Sequence, residues 1–206
     1  MAGSSGPIGV LALQGDVREH RSILERLGAE VRLVRSPDDV AAINGLVIPG
    51  GESSVIDKLA RVFGVREPLR TAIGAGLPVY GTCAGLILLA DEVLDGIVGQ
   101  VSFGGLDVSV RRNAFGSQAD SFETELMVPV IGAPPMHAVF IRAPVVERVG
   151  PGVETIAMLS DGRVVAVRQG NILGSSFHPE MTNDGRFHRL FLDNVDRSQY
   201  QGTVAG

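Results

Sequence analysis

Residues 77–94 read LPVYGTCAGLILLADEVL, and this stretch decides the fold. The apolar run over 77–80 has the length and bounding residues of a buried strand. Gly81-Thr82-Cys83-Ala84-Gly85 turns the chain, and residues 84–94 are expected to continue as a helix. A nucleophile flanked by glycines between strand and helix is a nucleophile elbow, here with a thiol. The turn is too sharp to leave room for Cβ atoms on either side. It places Sγ at a helix N-terminus, where free N–H groups and the helix dipole favour a thiolate. It also offers the Ala84 amide as an oxyanion donor. A lone cysteine is commonly a small buried hydrophobe; the strand–turn–helix setting favours the nucleophile.

Upstream the same alternation recurs. Strands are expected at 8–13, 31–34 and 45–48, and helices at 17–27, 53–61 and 67–73. Gly28 suits the residue after a helix end. Ser36-Pro37-Asp38-Asp39 opens another helix, with an N-cap, a proline at the first position and acids in the first turn. Strands alternating with helices predict an α/β fold, with a mainly parallel central sheet flanked by helices in three layers. Downstream, short strands at 106–110, 121–128, 139–141, 155–159, 164–168 and 172–176 are separated in part by Asp161-Gly162 and Gly170-Asn171 turns. These predict an antiparallel strand extension. A last helix over 184–195 carries Phe187, Leu190, Phe191 and Val195 on one face. The chain is expected to form a single domain over 1–206, with flexible ends at 1–7 and 198–206.

Composition narrows the function classes. The chain has 206 residues, 45% hydrophobic and 20% charged, with a net charge of -5. That apolar content excludes intrinsic disorder. The acidic balance argues against a nucleic-acid surface, which needs a basic stripe. No apolar run approaches the length of a membrane span, so no membrane partner is expected. One cysteine excludes a disulfide framework and a multi-cysteine metal site. The start of the chain lacks the charged region of a secretory signal, and a cytoplasmic location is expected. The histidines lack H-E-x-x-H spacing and the glycine-rich turns lack a phosphate-loop lysine, so no metal and no other cofactor is expected.

A thiol nucleophile needs a base. His178 in Ser175-Ser176-Phe177-His178-Pro179-Glu180 follows an expected strand, and Glu180 lies two residues on. In extended chain the two project to one side, so Glu180 can orient His178 as the third member of a triad. Of the other histidines, His20 falls on the polar side of the first helix, His137 in a loop after Pro134-Pro135, and His188 on the final helix. A second oxyanion donor is expected from Pro49-Gly50-Gly51-Glu52-Ser53, at the sheet edge where open α/β folds bind ligands.

These motifs carry a resemblance. Gly81-Thr82-Cys83-Ala84-Gly85 with Phe177-His178-Pro179-Glu180 resembles the triad-type (class I) glutamine amidotransferases, which are flavodoxin-like in fold. Within them the chain closely resembles the glutaminase subunits of pyridoxal 5′-phosphate synthase, through five segments. They are Leu11-Ala12-Leu13-Gln14-Gly15-Asp16, Pro49-Gly50-Gly51-Glu52-Ser53, Arg112-Asn113-Ala114-Phe115-Gly116, Phe140-Ile141-Arg142-Ala143-Pro144 and Ser175-Ser176-Phe177-His178-Pro179-Glu180.

The resemblance implies that Cys83, His178 and Glu180 hydrolyse L-glutamine through a γ-glutamyl thioester, releasing ammonia. The oxyanion donors would be Gly51 and Ala84. Glutamine would be held by Gly51, Glu52, Ser53, Arg112, Ile141 and Arg142. An arginine suits its α-carboxylate, and a carboxylate its α-ammonium. The chain leaves no room for a site that consumes ammonia, so the acceptor must lie on another polypeptide. The resemblance points to the pyridoxal 5′-phosphate synthase (lyase) subunit, in a large hetero-oligomer. The expectation is that the free chain is nearly idle until this partner completes the oxyanion hole at Gly50-Gly51. Gln14 and His20, after the first strand on the same sheet edge, are expected at the docking face.

Three other readings compete. A cysteine peptidase or deglycase of the related superfamily would place histidine directly after the nucleophile, where this chain has Ala84. A non-catalytic binding subunit would not need the triad. The same glutaminase could instead feed a histidine or guanine nucleotide pathway.

Overall fold

The computed structural model of the protein describes residues 6–112, 114 and 121–198. Most of the two ends expected to be flexible, and Asn113, Phe115 and Gly116 of the arginine segment, lie outside the described residues.

The first half is built of β1 (Ile8–Leu11), α1 (Val17–Arg26), β2 (Val31–Val34), α2 (Pro37–Ala41), β3 (Gly45–Ile48), α3 (Ser53–Val62), α4 (Arg66–Gly74), β4 (Val79–Thr82) and α5 (Ala84–Leu89). Then come β5 (Ala90–Leu94), β6 (Leu106–Arg111), β7 (Phe122–Leu126), β8 (Met136–Phe140), β9 (Val145–Val149), β10 (Glu154–Met158), β11 (Val164–Gln169) and β12 (Ile172–Ser175). A 3₁₀ turn (Pro179–Met181) and α6 (Arg186–Arg197) complete the described chain.

Among the described residues a ten-stranded sheet runs in the order β2-β1-β3-β4-β12-β11-β9-β6-β5, with β10 paired to β11. The pairings from β2 to β12 are all parallel, whereas β11 pairs antiparallel with β12, β10 and β9, and β9 with β6. The expected parallel sheet with an antiparallel extension is therefore present. β7 and β8 form a separate antiparallel pair.

The inner parallel strands β1, β3, β4 and β12 are buried on both faces, which is why they read as largely apolar runs. Leu46, Ile48 and Val79 face one core with Ile56 of α3, Leu69 of α4 and Leu86 of α5. Val47, Tyr80 and Leu173 face the other, with Leu24 of α1 and Phe187 and Phe191 of α6. These are the three layers. Among the described residues no helix is long and apolar enough to cross a membrane.

Local chemistry sets several boundaries. Ser36 caps α2 in a reciprocal box with Asp39, and Pro37 sits in its first turn. Gly28 follows α1 at φ 88°, as its place after the helix suggests. The expected helix over 84–94 is corrected: it stops at Leu89, Ala90 turns extended, and residues 90–94 become β5, paired parallel with β6. Pairing with the next strand, β6, overrides local helix preference there. β4 starts at Val79, past Pro78, whose missing N–H suits a strand start and shifts the strand toward the elbow. β9 has no counterpart among the sequence-based strands, and His137 lies on β8, not in a loop.

The elbow depends on backbone-to-backbone packing. A Cβ on Gly85 would lie 2.2 Å from the Ile48 carbonyl oxygen. Gly85→Ala should therefore lower the denaturant midpoint at unchanged slope, by about 1–3 kcal/mol. Gly74→Ala is the control, since a methyl there meets nothing within 4 Å. It should be neutral or stabilising, and an equal loss in both variants would refute the close contact.

Candidate active site

Four parallel strands deliver their carboxyl ends to one edge of the sheet. β4 ends at Thr82, and the next residue, Cys83, takes φ 48° and ψ −99°. A positive φ at a residue with a side chain is a strained state held by its surroundings. The Cys83 N–H donates to the Ser175 carbonyl at 2.7 Å, which ties the elbow to the end of β12. Ala84 opens α5, so its amide has no partner within the helix. The cysteine is only 7% exposed, yet it is not sealed in the apolar core. It lines a cavity of about 40 Å³ with Gly51, Glu52, Ser53, Ile87, Arg112, Ile141 and Arg142. Two clefts of about 350 Å³ lie elsewhere, one by Val145 and Arg163 and one between α2 and α4, and neither is lined by a cysteine or a histidine.

After β12 the chain runs to His178, whose N–H donates to the Val139 carbonyl at 2.9 Å, and then enters the 3₁₀ turn. His178 Nδ1 lies 2.7 Å from Glu180 Oε1. The expected pairing is thus present, but the turn makes it; the chain there is not extended. A second carboxylate, Asp16 Oδ2, lies 3.5 Å from the same nitrogen. Burial pushes the His178 pKa down, but Asp16, Cys83 and Glu180 outweigh it and raise it to about 12. Burial pushes Glu180 up, and the His20 and His178 imidazoles outweigh it, holding the carboxyl well below its usual range. Among the described residues His178 Nε2 finds no hydrogen bond of normal geometry. The Cys83 thiol is nevertheless near enough to raise the imidazole pKa, a loose contact of the kind that tightens when substrate binds. The ligand atoms of Asp16, His178 and Glu180 lie within 4.8 Å of one another, a spacing that a metal ion could also use. A proton on Nδ1 facing two carboxylates accounts for the same geometry.

The third strand end supplies the glycine turn. Gly51 sits at φ 154°. The Glu52 N–H donates to Gln14 Oε1 at 2.8 Å, and the Asp16 N–H donates to the Gly50 carbonyl at 3.1 Å. A Cβ on Gly15 would fall 1.8 Å from the Gly50 oxygen, so only glycine fits at this contact. Glu52 caps α3, and its Oε1 also accepts from Arg112 Nη2 at 2.7 Å. Gln100 joins the group: its Nε2 donates to Ser53 Oγ at 3.0 Å, and its Oε1 accepts from Arg112 Nη1 at 3.3 Å. Arg142 takes φ 43° at the cavity wall beside Ile141, which is partly exposed.

Cys83, His178, Glu180, Gly51, Glu52, Ser53, Ala84, Arg112, Ile141 and Arg142 thus gather at one edge. His20 is a correction. It is not solvated and forms no docking surface, because its side chain is fully buried behind Glu180. The first helix packs that face inward against α6 and the 3₁₀ turn. Sequence reading missed Asp16 and Gln100. Asp16 carried a signal, since it stands just before a helix at a strand end. Gln100 carried none, because only tertiary packing of the loop before β6 brings it to Arg112.

Known proteins resemble the chain along nearly its whole length. Residues 10–197 match the sequence model of the SNO glutamine amidotransferase family. A pyridoxal 5′-phosphate synthase subunit PdxT of Clavibacter sepedonicus is 68% identical over 203 residues, covering 95% of this chain and 97% of that protein. The protein of the same name from Leifsonia xyli subsp. xyli is 66% identical over 195 residues, covering 95% and 98%. A crystal structure described as a glutamine amidotransferase superposes with a TM-score of 0.86 at 49% identity, covering 93% of this chain and all of that one. The chain belongs to the SNO glutamine amidotransferase family.

Proposed function

We propose that this chain is the glutamine-hydrolysing subunit of a pyridoxal 5′-phosphate synthase, delivering ammonia to a synthase subunit. The observation that carries the reading is a histidine held by two carboxylates beside a cysteine on a strained elbow. Identities of 66% and 68% to the PdxT proteins support the choice of acceptor.

In the first half-reaction Cys83 Sγ, its proton already carried by His178 as a thiolate–imidazolium pair, attacks the δ-carbon of glutamine. The Ala84 and Gly51 amides take the negative charge that develops on the carbonyl oxygen. His178 then gives the proton to the leaving nitrogen, the C–N bond breaks, and ammonia departs from a γ-glutamyl thioester. In the second half-reaction His178 removes a proton from water, and the resulting hydroxide adds to the thioester. The C–S bond breaks and glutamate leaves. Glu180 stays ionised throughout and fixes the Nδ1–H tautomer that both steps need.

The cavity beside Cys83 holds little more than ordered water. Glutamine must therefore open it, and the ion pair between Arg112 and Glu52 is what it displaces. The substrate α-carboxylate takes the arginine, and the freed Glu52 takes the α-ammonium. Ser53, Ile141 and Arg142 complete the wall.

The partner is the synthase subunit of a large hetero-oligomer in the cytoplasm. It docks on the edge that carries Gln14. Through Gln14 and Asp16, the loop after β1 grips the Gly50-Gly51 turn, so pressure on that loop reorients the peptide that supplies the second oxyanion donor. The free chain is nearly idle because this peptide is not yet set. Feeding of histidine or guanine nucleotide synthesis is not favoured by any feature of the site.

Glutaminase activity should be low for the chain alone and rise at least about tenfold with the synthase subunit. A glutamine-analogue electrophile should label Cys83 and leave Cys83→Ala blank. Equal rates with and without the synthase would refute the gating, and labelling of the Cys83→Ala protein would refute the nucleophile. Glu180→Gln should lower kcat by roughly 10²–10⁴ while the protein stays folded by circular dichroism. Gln14→Ala should weaken synthase binding or the activation it gives, measured by titration calorimetry and the coupled assay. Values unchanged in both would remove Gln14 from the docking face.

A further inference from the structure

Behind Glu180 lies a second pair of imidazoles that the reaction above does not use. His20 and His188 are both fully buried. His20 Nδ1 lies 2.9 Å from His188 Nε2, and its Nε2 lies 3.1 Å from Thr82 Oγ1 and 3.4 Å from Glu180 Oε1. One ring thus touches α6, the residue before the nucleophile, and the carboxylate that orients the base. We propose that His20 is a positioning residue, whose Nε2–H, hydrogen-bonded at Thr82 Oγ1, also faces Glu180 Oε1 at 3.4 Å and holds that carboxylate charged and aimed at His178.

The proton placement follows from the partners. Among the described residues His188 Nδ1 has no hydrogen-bond partner. Burial pushes the His188 pKa down to about 3, so the ring is neutral. A neutral His188 with its proton on Nε2 donates to His20 Nδ1, and only a lone pair is left unmatched on its Nδ1. His20 must then carry its proton on Nε2, facing Glu180. The opposite tautomer of His188 would bury an unpaired N–H. A neutral His20 protonated on Nδ1 would also set a lone pair against a carboxylate. A buried N–H without an acceptor is rarer and costlier than an under-used acceptor. If His20 were doubly protonated, its Nε2 would still carry a proton toward Glu180.

Glu180 needs that donor. Among the described residues its Oε2 has no hydrogen-bond partner, so both imidazoles meet Oε1, His178 in a hydrogen bond at 2.7 Å and His20 at 3.4 Å. The groups around it leave little other support. Asp16, just before α1, adds another acid and not a donor, and Tyr80 on β4 is kept neutral by burial, its pKa raised further by Glu180 itself. Arg18 and Glu19 flank an outer cleft that reaches Glu180 and are spent on each other at 3.2 Å. On α6 and the turn before it, His188 is neutral and Asp184 is bonded to Arg186. On β8, His137 is taken by Glu123 and Glu125. Without His20, one donor would hold a carboxylate that burial drives toward its neutral form.

This inference rests on the glutaminase reading, and its test separates the two. In ¹⁵N-histidine spectra of the free wild-type chain, His20 should be protonated on Nε2 and His188 should be the neutral Nε2–H tautomer. A neutral His20 protonated on Nδ1 would overturn the proposal whatever any variant does. His20→Gln places an amide N–H near the ring Nε2, whereas His20→Asn falls short of it. Cys83 alkylation by iodoacetamide, followed against pH in the free chain, should show the acid limb of His20→Asn raised by about one unit. That is about tenfold slower labelling on the limb, and His20→Gln should restore most of it. The kcat/KM profile for glutamine in the complex with the synthase should move in the same sense, with synthase affinity unchanged. Profiles that coincide for wild type and both variants, or an equal loss in both variants with no movement of the limb, would reduce His20 to packing. Normal tautomers and alkylation in a chain without glutaminase activity beside the synthase would instead refute the functional reading alone.

Discussion

The structure depends on one turn that the chain does not adopt readily. Cys83 is held at positive φ between Gly81 and Gly85, and both glycines sit where a methyl group would collide with backbone. Such strain persists only if the surroundings over-determine it. Here β3 supplies the Ile48 carbonyl against Gly85, and β12 supplies the Ser175 carbonyl that receives the Cys83 N–H. The two strands that flank β4 in the sheet are thus the two that fix the elbow. Their own carboxyl ends carry the glycine turn and the His178 segment, so one set of parallel pairings both strains the nucleophile and brings its partners to it.

The second requirement is a buried negative charge. Glu180 is almost wholly withdrawn from water, which alone would neutralise it. Two imidazoles on one of its oxygens reverse that tendency. The histidines divide the work by environment. His178 has two carboxylates and a thiol about it and favours the charged form, whereas His188 has burial and no counter-charge in contact and stays neutral. Identical side chains a few residues apart thereby hold opposite states at neutral pH.

Much of this was legible in the sequence, and the exceptions share a cause. The Gly-x-Cys-x-Gly turn, the Ser36 cap and the apolar parallel strands are local signals, written within a few residues. The Glu180 partnership was also local, although a 3₁₀ turn and not an extended chain produces it. β5 and β9 were not legible, because each becomes a strand only through tertiary pairing, β5 with β6 and β9 with β6 and β11. His20 misled for the same reason. The polar side of an amphipathic helix normally meets water, but α1 covers a polar site, so its histidine turns inward to a carboxylate over a hundred and fifty residues away. Gln100 reaches Arg112 and Ser53 only through the path of a loop.

The parallel pairings also polarise the molecule. The triad, the glycine turn and Gln14 lie at the carboxyl ends of β1, β3, β4 and β12 or in the loops beyond them, and Arg112, Ile141 and Arg142, just past β6 and β8, face the same cavity. β1 begins at Ile8, at the opposite rim. A label, surface linker or fused carrier joined ahead of Pro7 therefore leaves from the chemically silent side. The protein can be immobilised or tracked through that rim while the reactive rim stays open to substrate and companion subunit alike.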